Sequence, residues 1–228
     1  MSEKTETTPT RPFHHGDLRN TLLAIARRLV QQHGPEGFSL REAAREAGVS
    51  PNAAYRHFTD KAALLGELAR QGFREMAIAM EQTMAAAGDD PVARIHANGL
   101  AYVRFAARER DLFNLMFGPF GAGAPDGMQR MLVPGPATGL GAFELLGSAL
   151  DGLMKTGRLA ADNRAGAEML LWPVVHGLAT LTNAHVLPAG QVEALFDLGF
   201  PMMMRAIGLP PTASPPVKPP APGLAATR

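Results

Sequence analysis

The sequence has no cysteine and few aromatic residues, which make up 6% of its 228 residues. Without cysteine the chain has no disulfide bonds, thiolate metal sites or cysteine nucleophiles. No apolar run reaches the roughly 18 residues that cross a membrane, and residues 1–12 lack the apolar core of a signal peptide. We therefore expect a cytoplasmic protein that has no membrane partner.

Strong charge of one sign is also lacking, because the formal net charge is +1 at pH 7. Any surface that binds nucleic acid must then be local rather than spread over the whole chain. The sequence shows no alternating strand pattern and no internal repeat. Ala, Leu and Met supply most of its apolar side chains, and these residues favour helices. The composition therefore predicts an all-α fold.

Apolar periodicity and capping residues divide the chain into segments. Residues 1–12 are predicted to form a flexible arm, and the proline-rich residues 209–228 a disordered tail. A small helical domain is predicted over 13–60 and a larger one over 61–208, with a connecting helix at 61–87. The predicted helices lie near 18–33, 40–47, 51–58, 60–87, 90–108, 110–117, 138–156, 163–186 and 190–208, with a loop over 118–135.

Residues 39–58 carry the pattern of two short helices joined by a tight turn. Ser39 opens the first helix with a capping box, Gly48 supplies a left-handed turn residue, and Ser50-Pro51 opens the second helix. Alanines on the inner face of the first helix allow the two helices to approach closely. This pattern predicts a helix-turn-helix, in which the second helix lies in the major groove of DNA.

The second helix of this motif leaves polar and small side chains available for DNA. Asn52 can hydrogen-bond two edges of adenine, and Ala53 can meet a thymine methyl group. Tyr and His side chains suit phosphate oxygens, which fix register without reading sequence. Alternatively, Tyr55 is a half-buried helix aromatic, and Asn52 and Arg56 are merely solvated. The predicted DNA-binding residues are Ser39, Arg41, Ser50, Pro51, Asn52, Ala53, Tyr55, Arg56, His57 and Lys61.

The order of these residues resembles the signature of TetR/AcrR-family transcription regulators. The similarity covers roughly 15–65 and is carried by Gly37-Phe38-Ser39-Leu40-Arg41, Ala47-Gly48-Val49-Ser50, Tyr55-Arg56-His57-Phe58 and Lys61-x-x-Leu64-Leu65. The resemblance implies a dimer on a palindromic operator. It also implies that Ser39, Arg41, Tyr55, His57 and Lys61 contact phosphates, while Asn52, Ala53 and their neighbours face bases.

Residues 90–208 show no catalytic signature, neither a Gly-x-Ser-x-Gly elbow nor a phosphate-binding loop. His96, His176 and His185 have no spacing that links them to carboxylates as metal ligands. We therefore predict no enzyme activity, no metal and no cofactor. The run Trp172-Pro173-Val174-Val175-His176-Gly177 looks like the Trp…His-Gly pattern of one C-terminal subclass of the same family.

Two interpretations of Trp172 and His176 stay open, since residues four apart share one helical face. They line a ligand pocket, or they are core residues at a dimer or interdomain seam. The candidate ligand-binding residues are Phe105, Phe113, Met116, Phe117, Met154, Met169, Trp172 and His176, although Met and Phe at helical spacing are also common in ordinary cores.

The last two predicted helices are the candidate dimer interface, because the resemblance implies that they pair with their partners as a four-helix bundle. Their apolar residues include Leu170, Val174, Leu178, Leu181, Val192, Leu195, Phe196, Met202 and Met203. A twofold dimer would place two recognition helices about 34–36 Å apart.

Together these features predict a sequence-specific, DNA-binding transcription regulator. The working hypothesis is a homodimeric repressor on a palindromic operator, released when a small apolar or amphipathic ligand moves the connecting helix. One alternative is a DNA-binding regulator without small-molecule control. Another is a helical ligand carrier or enzyme, which would leave the exposed residues at 55–57 unexplained.

Overall fold

A computed structural model of the protein describes residues 17–125 and 133–210, whose regular structure is entirely helical. The all-α prediction is therefore confirmed. The arm predicted at 1–12 and residues 211–228 of the tail predicted over 209–228 lie outside the described residues. Leu209, the first residue of the predicted tail, is instead buried, with its amide donating to the Met204 carbonyl at 3.0 Å. The chain divides into two compact units, with the division between Glu67 and Leu68. No helix among the described residues is long and apolar enough to span a membrane.

The first unit holds three helices and the first turns of a fourth. Serine and aspartate side chains fix where the helices begin: Ser39 Oγ accepts from the Glu42 amide at 3.1 Å, and Asp60 Oδ1 accepts from the Ala63 amide at 2.7 Å. Gly48 ends the second helix at φ 69°, in the left-handed region. The elements are α1 (Leu18–His33), α2 (Leu40–Glu46), α3 (Pro51–Tyr55) and α4 (Lys61–Ala86).

Asp17 precedes α1, and its side chain makes no capping hydrogen bond. One local prediction in this unit needs correction. Helix α3 ends at Tyr55 rather than near 58, because the following turn brings Phe58 into the core, where it is 4% exposed. The short α3 is held against α1 and α2 by this turn and by buried Ala54.

The second unit is a bundle built around α5, whose most extensive contacts in the described part of the chain are with the helices that follow it. Asp90 Oδ2 caps α5 by accepting from the Ala93 amide at 2.9 Å, and Pro91 occupies the first helical position. Almost every turn of α5 is buried, as expected for a central helix. The elements after α4 are α5 (Pro91–Arg108), α6 (Arg110–Phe117), α7 (Ala142–Lys155), α8 (Ala161–Arg164), α9 (Ala167–Asn183), a 3-10 turn (Ala189–Gln191) and α10 (Val192–Ala206).

The helix predicted over 163–186 is two helices. Gly166 adopts φ 77°, and this left-handed residue separates α8 from α9. Pro173 lies inside α9 without ending it. The helix predicted from 138 begins instead at Ala142, since the preceding residues form turns.

Candidate nucleic-acid interface and effector cavity

Helix α3 presents an exposed surface anchored from behind by buried residues. Ala54 is fully buried, whereas Asn52, Arg56 and His57 are exposed and the Tyr55 side chain is 42% exposed. With 42% of its area exposed, Tyr55 is partly covered by its neighbours and partly open to solvent, so the half-buried alternative stays open. An exposed ring with a terminal hydroxyl can reach a phosphate oxygen without unfolding the helix.

Two serine hydroxyls sit where helices meet solvent. Ser39 Oγ accepts from Glu42 N, and Ser50 Oγ accepts from Ala53 N at 3.3 Å. Each hydroxyl is therefore used as an acceptor in its cap, while its own hydrogen can still be donated to an anion. The exposed N-terminal amides of both helices add to the attraction for phosphate.

Lys61 is held in a defined position by its neighbours in the first unit. Its Nζ lies 3.2 Å from Glu36 Oε2 and 5.8 Å from the centre of the Phe38 ring. The Glu36 side chain is exposed, so this ion pair is screened and contributes only about 0–1 kcal/mol. A DNA phosphate can therefore compete for the Lys61 ammonium at little cost.

A surface cleft gathers several of the predicted DNA-binding residues from α2 and α3. Ser39, Arg41 and Pro51 line it together with Glu42, Arg45 and Val49. Arg45 was missed by the sequence analysis, although it stands one helical turn after Arg41. Arg45 lies 3.7 Å from Glu42, and its side chain is largely exposed. The cleft is thus a mixed-charge surface with two exposed guanidinium groups, of which the Arg45 group is paired with Glu42.

Two small cavities in the second unit share a wall formed by α5, α7 and α9. Their volumes are about 20 and 30 Å³, roughly the space of one or two waters, whereas ligand pockets usually have about 300–1,000 Å³. A ligand would therefore have to open this interior. Both cavities are lined by Asn98, Tyr102, Leu146 and Trp172; the first adds Phe73, Met76, Met80, Phe117, Ala142 and Phe143, and the second adds Ile95, Gly99, Leu171, Val175, Phe196, Phe200 and Met203.

A hydrogen-bonded relay crosses the shared wall. The Tyr102 hydroxyl lies 2.7 Å from Nδ1 of His176, and the Trp172 indole N–H lies near the same hydroxyl. Burial raises the pKa of Tyr102 above its ordinary value. Burial likewise lowers the pKa of His176, because desolvation disfavours its charged form. Both groups are therefore neutral near pH 7.

Aromatic rings surround this relay. The ring of His176 lies 4.5 Å from that of Phe117 and 5.2 Å from that of Trp172, measured between centroids. Phe143 meets Trp172 edge to face at 6.2 Å. Such ring pairs add stabilisation beyond the burial of their area. Trp172 thus lines both cavities, whereas His176 lines neither and is joined to the cavity wall by its hydrogen bond with Tyr102.

The eight candidate ligand-binding residues are not brought together as predicted. Phe117 and Trp172 line a cavity, and His176 contacts both of them. Phe105, Phe113 and Met116 are buried in the core but line neither cavity. Contrary to the prediction, Met154 and Met169 lie on the surface, with 39% and 62% of their area exposed. Met154 follows the buried Leu153, so helical geometry turns its side chain outward.

Asn98 and Tyr102 are the cavity residues that the sequence analysis missed. They lie four apart on α5, so both project from one face of that helix. Asn98 is buried, and its Nδ2 donates to Met84 Sδ at 3.4 Å. Two polar residues at helical spacing within an otherwise apolar face were the available signal.

A buried carboxylate ties α4 to the turn that precedes α7. Glu81 is 6% exposed and accepts hydrogen bonds from the Thr138 amide at 2.8 Å, the Thr138 hydroxyl at 2.5 Å and the Ala137 amide at 3.2 Å. Burial alone would raise the pKa of Glu81, but these hydrogen bonds outweigh burial and lower it. We call these hydrogen bonds between Glu81 and residues 137–138 the clasp. The clasp adjoins the first cavity, because Met80, next to Glu81, and Ala142, four residues after Thr138, both line that cavity.

Helices α9 and α10 leave apolar side chains exposed. Leu170, Val174 and Leu181 form one stripe along α9 at helical spacing, and Val174 is 52% exposed. Gly177 lies on the same stripe, and no heavy atom of the protomer lies within 4 Å of where its Cβ would be. Of the predicted dimer residues, Val192, Phe196 and Met203 are instead buried within the protomer.

Comparisons with known proteins agree with this architecture. The family described as bacterial regulatory proteins, tetR family, matches residues 22–68, and the tetracyclin repressor-like C-terminal domain matches residues 95–203. No curated protein sequence matches the chain.

Solved structures share the fold over most of the chain. A Rhodococcus protein of unknown function is 30% identical with a TM-score of 0.73, covering 86% of this chain and 98% of its own. The TetR-family regulator PfmR from Thermus thermophilus is 19% identical with a TM-score of 0.58, covering 82% and 95%. The fatty acid degradation regulator FadR from Bacillus halodurans is 14% identical with a TM-score of 0.64, covering 81% and 95%. The chain belongs to the TetR family of bacterial regulatory proteins and is a DNA-binding transcription regulator.

Proposed function

We propose that the protein is a cytoplasmic homodimeric repressor that binds a palindromic operator and is released by a small ligand. It has no catalytic role in this proposal. The observation that carries the proposal is an exposed recognition helix, α3, on a chain whose α9 also exposes an apolar stripe. The first feature suits a DNA groove, and the second suits a partner subunit.

The exposed groups of the first unit divide by chemistry into two sets. Pro51, Asn52 and Ala53 form the first turn of α3, the part of a recognition helix that contacts base edges. Phosphate contacts are assigned to groups that carry positive charge or a donor hydrogen. These are Ser39, Arg41, Ser50, Tyr55, Arg56, His57 and Lys61.

Dimerisation is assigned to the exposed apolar stripe of α9 and to exposed Leu198 and Met202 of α10. Leaving such side chains in water costs about 25 cal/mol for each Å² of apolar surface, so pairing with a second copy stabilises the protein. The open space beside Gly177 permits close approach of a partner helix.

Ligand release is assigned to α4. This helix begins at Lys61 in the first unit, and further along its Phe73, Met76 and Met80 line the first cavity. A ligand that opens the cavity has to displace these side chains and with them the helix. A 100-fold loss of operator affinity needs a coupling free energy of about 2.7 kcal/mol.

The dimer stripe is tested with Val174→Glu, which places a charge on the most central exposed residue of α9. We expect sedimentation to show a monomer and operator affinity to fall at least about 100-fold, since a monomer holds one half-site. Met154→Gln, on another exposed apolar position, is the matched control and should leave both unchanged. A Val174→Glu protein that stays dimeric would assign the interface elsewhere.

A DNA-binding regulator without small-molecule control is the second candidate. It is favoured by the small size of the two interior cavities. The two candidates are separated by a titration of the operator complex with ligands that bind the second unit. Release by at least one such ligand supports the first candidate; indifference to all of them supports the second.

A further inference from the structure

The wall shared by the two interior cavities carries no ionisable group that is charged near pH 7. Among the described residues that line the cavities, the polar groups are the Asn98 amide, the Tyr102 hydroxyl and the Trp172 indole N–H. The adjacent His176 is neutral because burial lowers its pKa. The remaining lining residues are aliphatic, aromatic or methionine side chains.

An ion entering this interior would lose its hydration and meet no counter-charge among the described residues that line the cavities. The Glu81 carboxylate, which adjoins the first cavity, already accepts hydrogen bonds from Ala137 and Thr138. The penalty for an unpaired buried ion amounts to several kcal/mol even after relaxation. An uncharged molecule avoids this cost, and its apolar atoms gain about 25 cal/mol for each Å² buried.

The polar relay specifies where one ligand hydrogen bond can form. The Tyr102 hydroxyl forms one hydrogen bond, with Nδ1 of His176. A phenol hydroxyl has one donor hydrogen and two lone pairs, so it keeps a hydrogen-bonding position for a ligand group on the cavity side. The rings of Phe117, Phe143 and Trp172 beside it favour a ligand ring in edge-to-face or offset contact.

We propose that the effector is an uncharged, mainly apolar ring compound with one hydrogen-bonding group directed at Tyr102. The inference rests on the proposed function, in which a ligand enters this interior. It excludes carboxylates, phosphates and ammonium ions as effectors at this site.

The inference is tested with three probes that share one apolar body. They are para-tert-butylphenol, which is neutral, para-tert-butylbenzoate, which is an anion, and para-tert-butylbenzylammonium, which is a cation. Trp172 is the only tryptophan of the chain, so its emission reports directly on occupation of the cavity wall. We expect the phenol to bind at least about tenfold more tightly than either ion.

Variants separate a ligand contact from a structural effect. Tyr102→Phe should weaken the phenol several-fold but leave tert-butylbenzene, which has no hydroxyl, unchanged; a purely structural role would weaken both equally. Met154→Gln, on the surface, should change neither affinity. The inference is overturned if a charged probe binds as tightly as the phenol, or if no probe changes the emission of Trp172. Binding of the phenol without operator release would contradict the proposed switch and leave the ligand class intact.

Discussion

Removal of the Glu81 carboxylate tests whether the clasp between α4 and the turn at 137–138 is a stabilising element. Hydrogen bonds to charged groups contribute about 1.5–3 kcal/mol each, and Glu81 accepts three. Ala137 and Thr138 are exposed, so water replaces part of what is lost. We expect Glu81→Ala to lower the free energy of unfolding by about 2–3 kcal/mol, and Glu81→Gln by about 1–2 kcal/mol, since an amide nitrogen cannot accept.

The stabilisation that the clasp provides is measured by thermal denaturation and by hydrogen exchange at the amides of Ala137 and Thr138. Each kcal/mol corresponds to a Tm change of about 2–4 °C for a chain of this size. The pKa of Glu81 is lowered in the folded protein, so its contribution is present above the ordinary value near 4.5 and lost as pH falls through the folded pKa. Gln82→Ala, on an exposed neighbour, is the control. Unchanged Tm and unchanged exchange of both amides in Glu81→Ala would refute the clasp.

Three further predictions concern the two units separately. Gly99→Ala should destabilise the protein by about 1–2 kcal/mol in denaturant unfolding, because the new Cβ would lie 2.5 Å from Phe196 Cζ. Gly177→Ala is the control and should not destabilise the protomer. Equal effects of the two substitutions would contradict the close packing of Gly99 against Phe196. His176 has a lowered pKa, so its contribution to the free energy of unfolding is present above about pH 6.5 and lost as pH falls below that value. The stability of His176→Asn should therefore fall less than that of the wild type between about pH 7 and pH 5. Parallel curves of stability against pH for the two proteins would argue against a desolvated imidazole. Tyr55→Phe should weaken operator and random DNA alike by about fivefold in binding assays, whereas Asn52→Ala should alter sequence preference; an equal loss on all sequences would remove Asn52 as a base reader.

Local features of this chain were predictable from its sequence. The caps at Ser39 and Ser50 each join a serine side chain to the amide three residues later, and the left-handed Gly48 lies in the short turn between the two helices. Helix α5 was predicted over its full length because Asp90-Pro91 marks its start and its apolar pattern is continuous. Caps and turns of this kind can be predicted because the residues that form them are close together in the sequence.

The cavity wall was not predictable in the same way. Tyr102 and His176 are 74 residues apart, and Glu81 and Thr138 are 57 apart, so only the packing of helices brings them together. Periodicity identified Met154 and Met169 as apolar helix residues, but it could not tell a face that packs into the core from a face that is exposed. The break at Gly166 was missed because a single glycine inside a helical pattern is usually tolerated.

Selection from randomised duplex DNA by the purified protein, at two salt concentrations, tests operator recognition by a dimer most directly. We expect enrichment of a palindrome whose half-sites lie about 34–36 Å apart, with affinity that falls steeply as salt rises. Enrichment of a single half-site would contradict the dimer. No enrichment by protein shown to be folded would contradict the assignment of α3 as the helix that reads DNA.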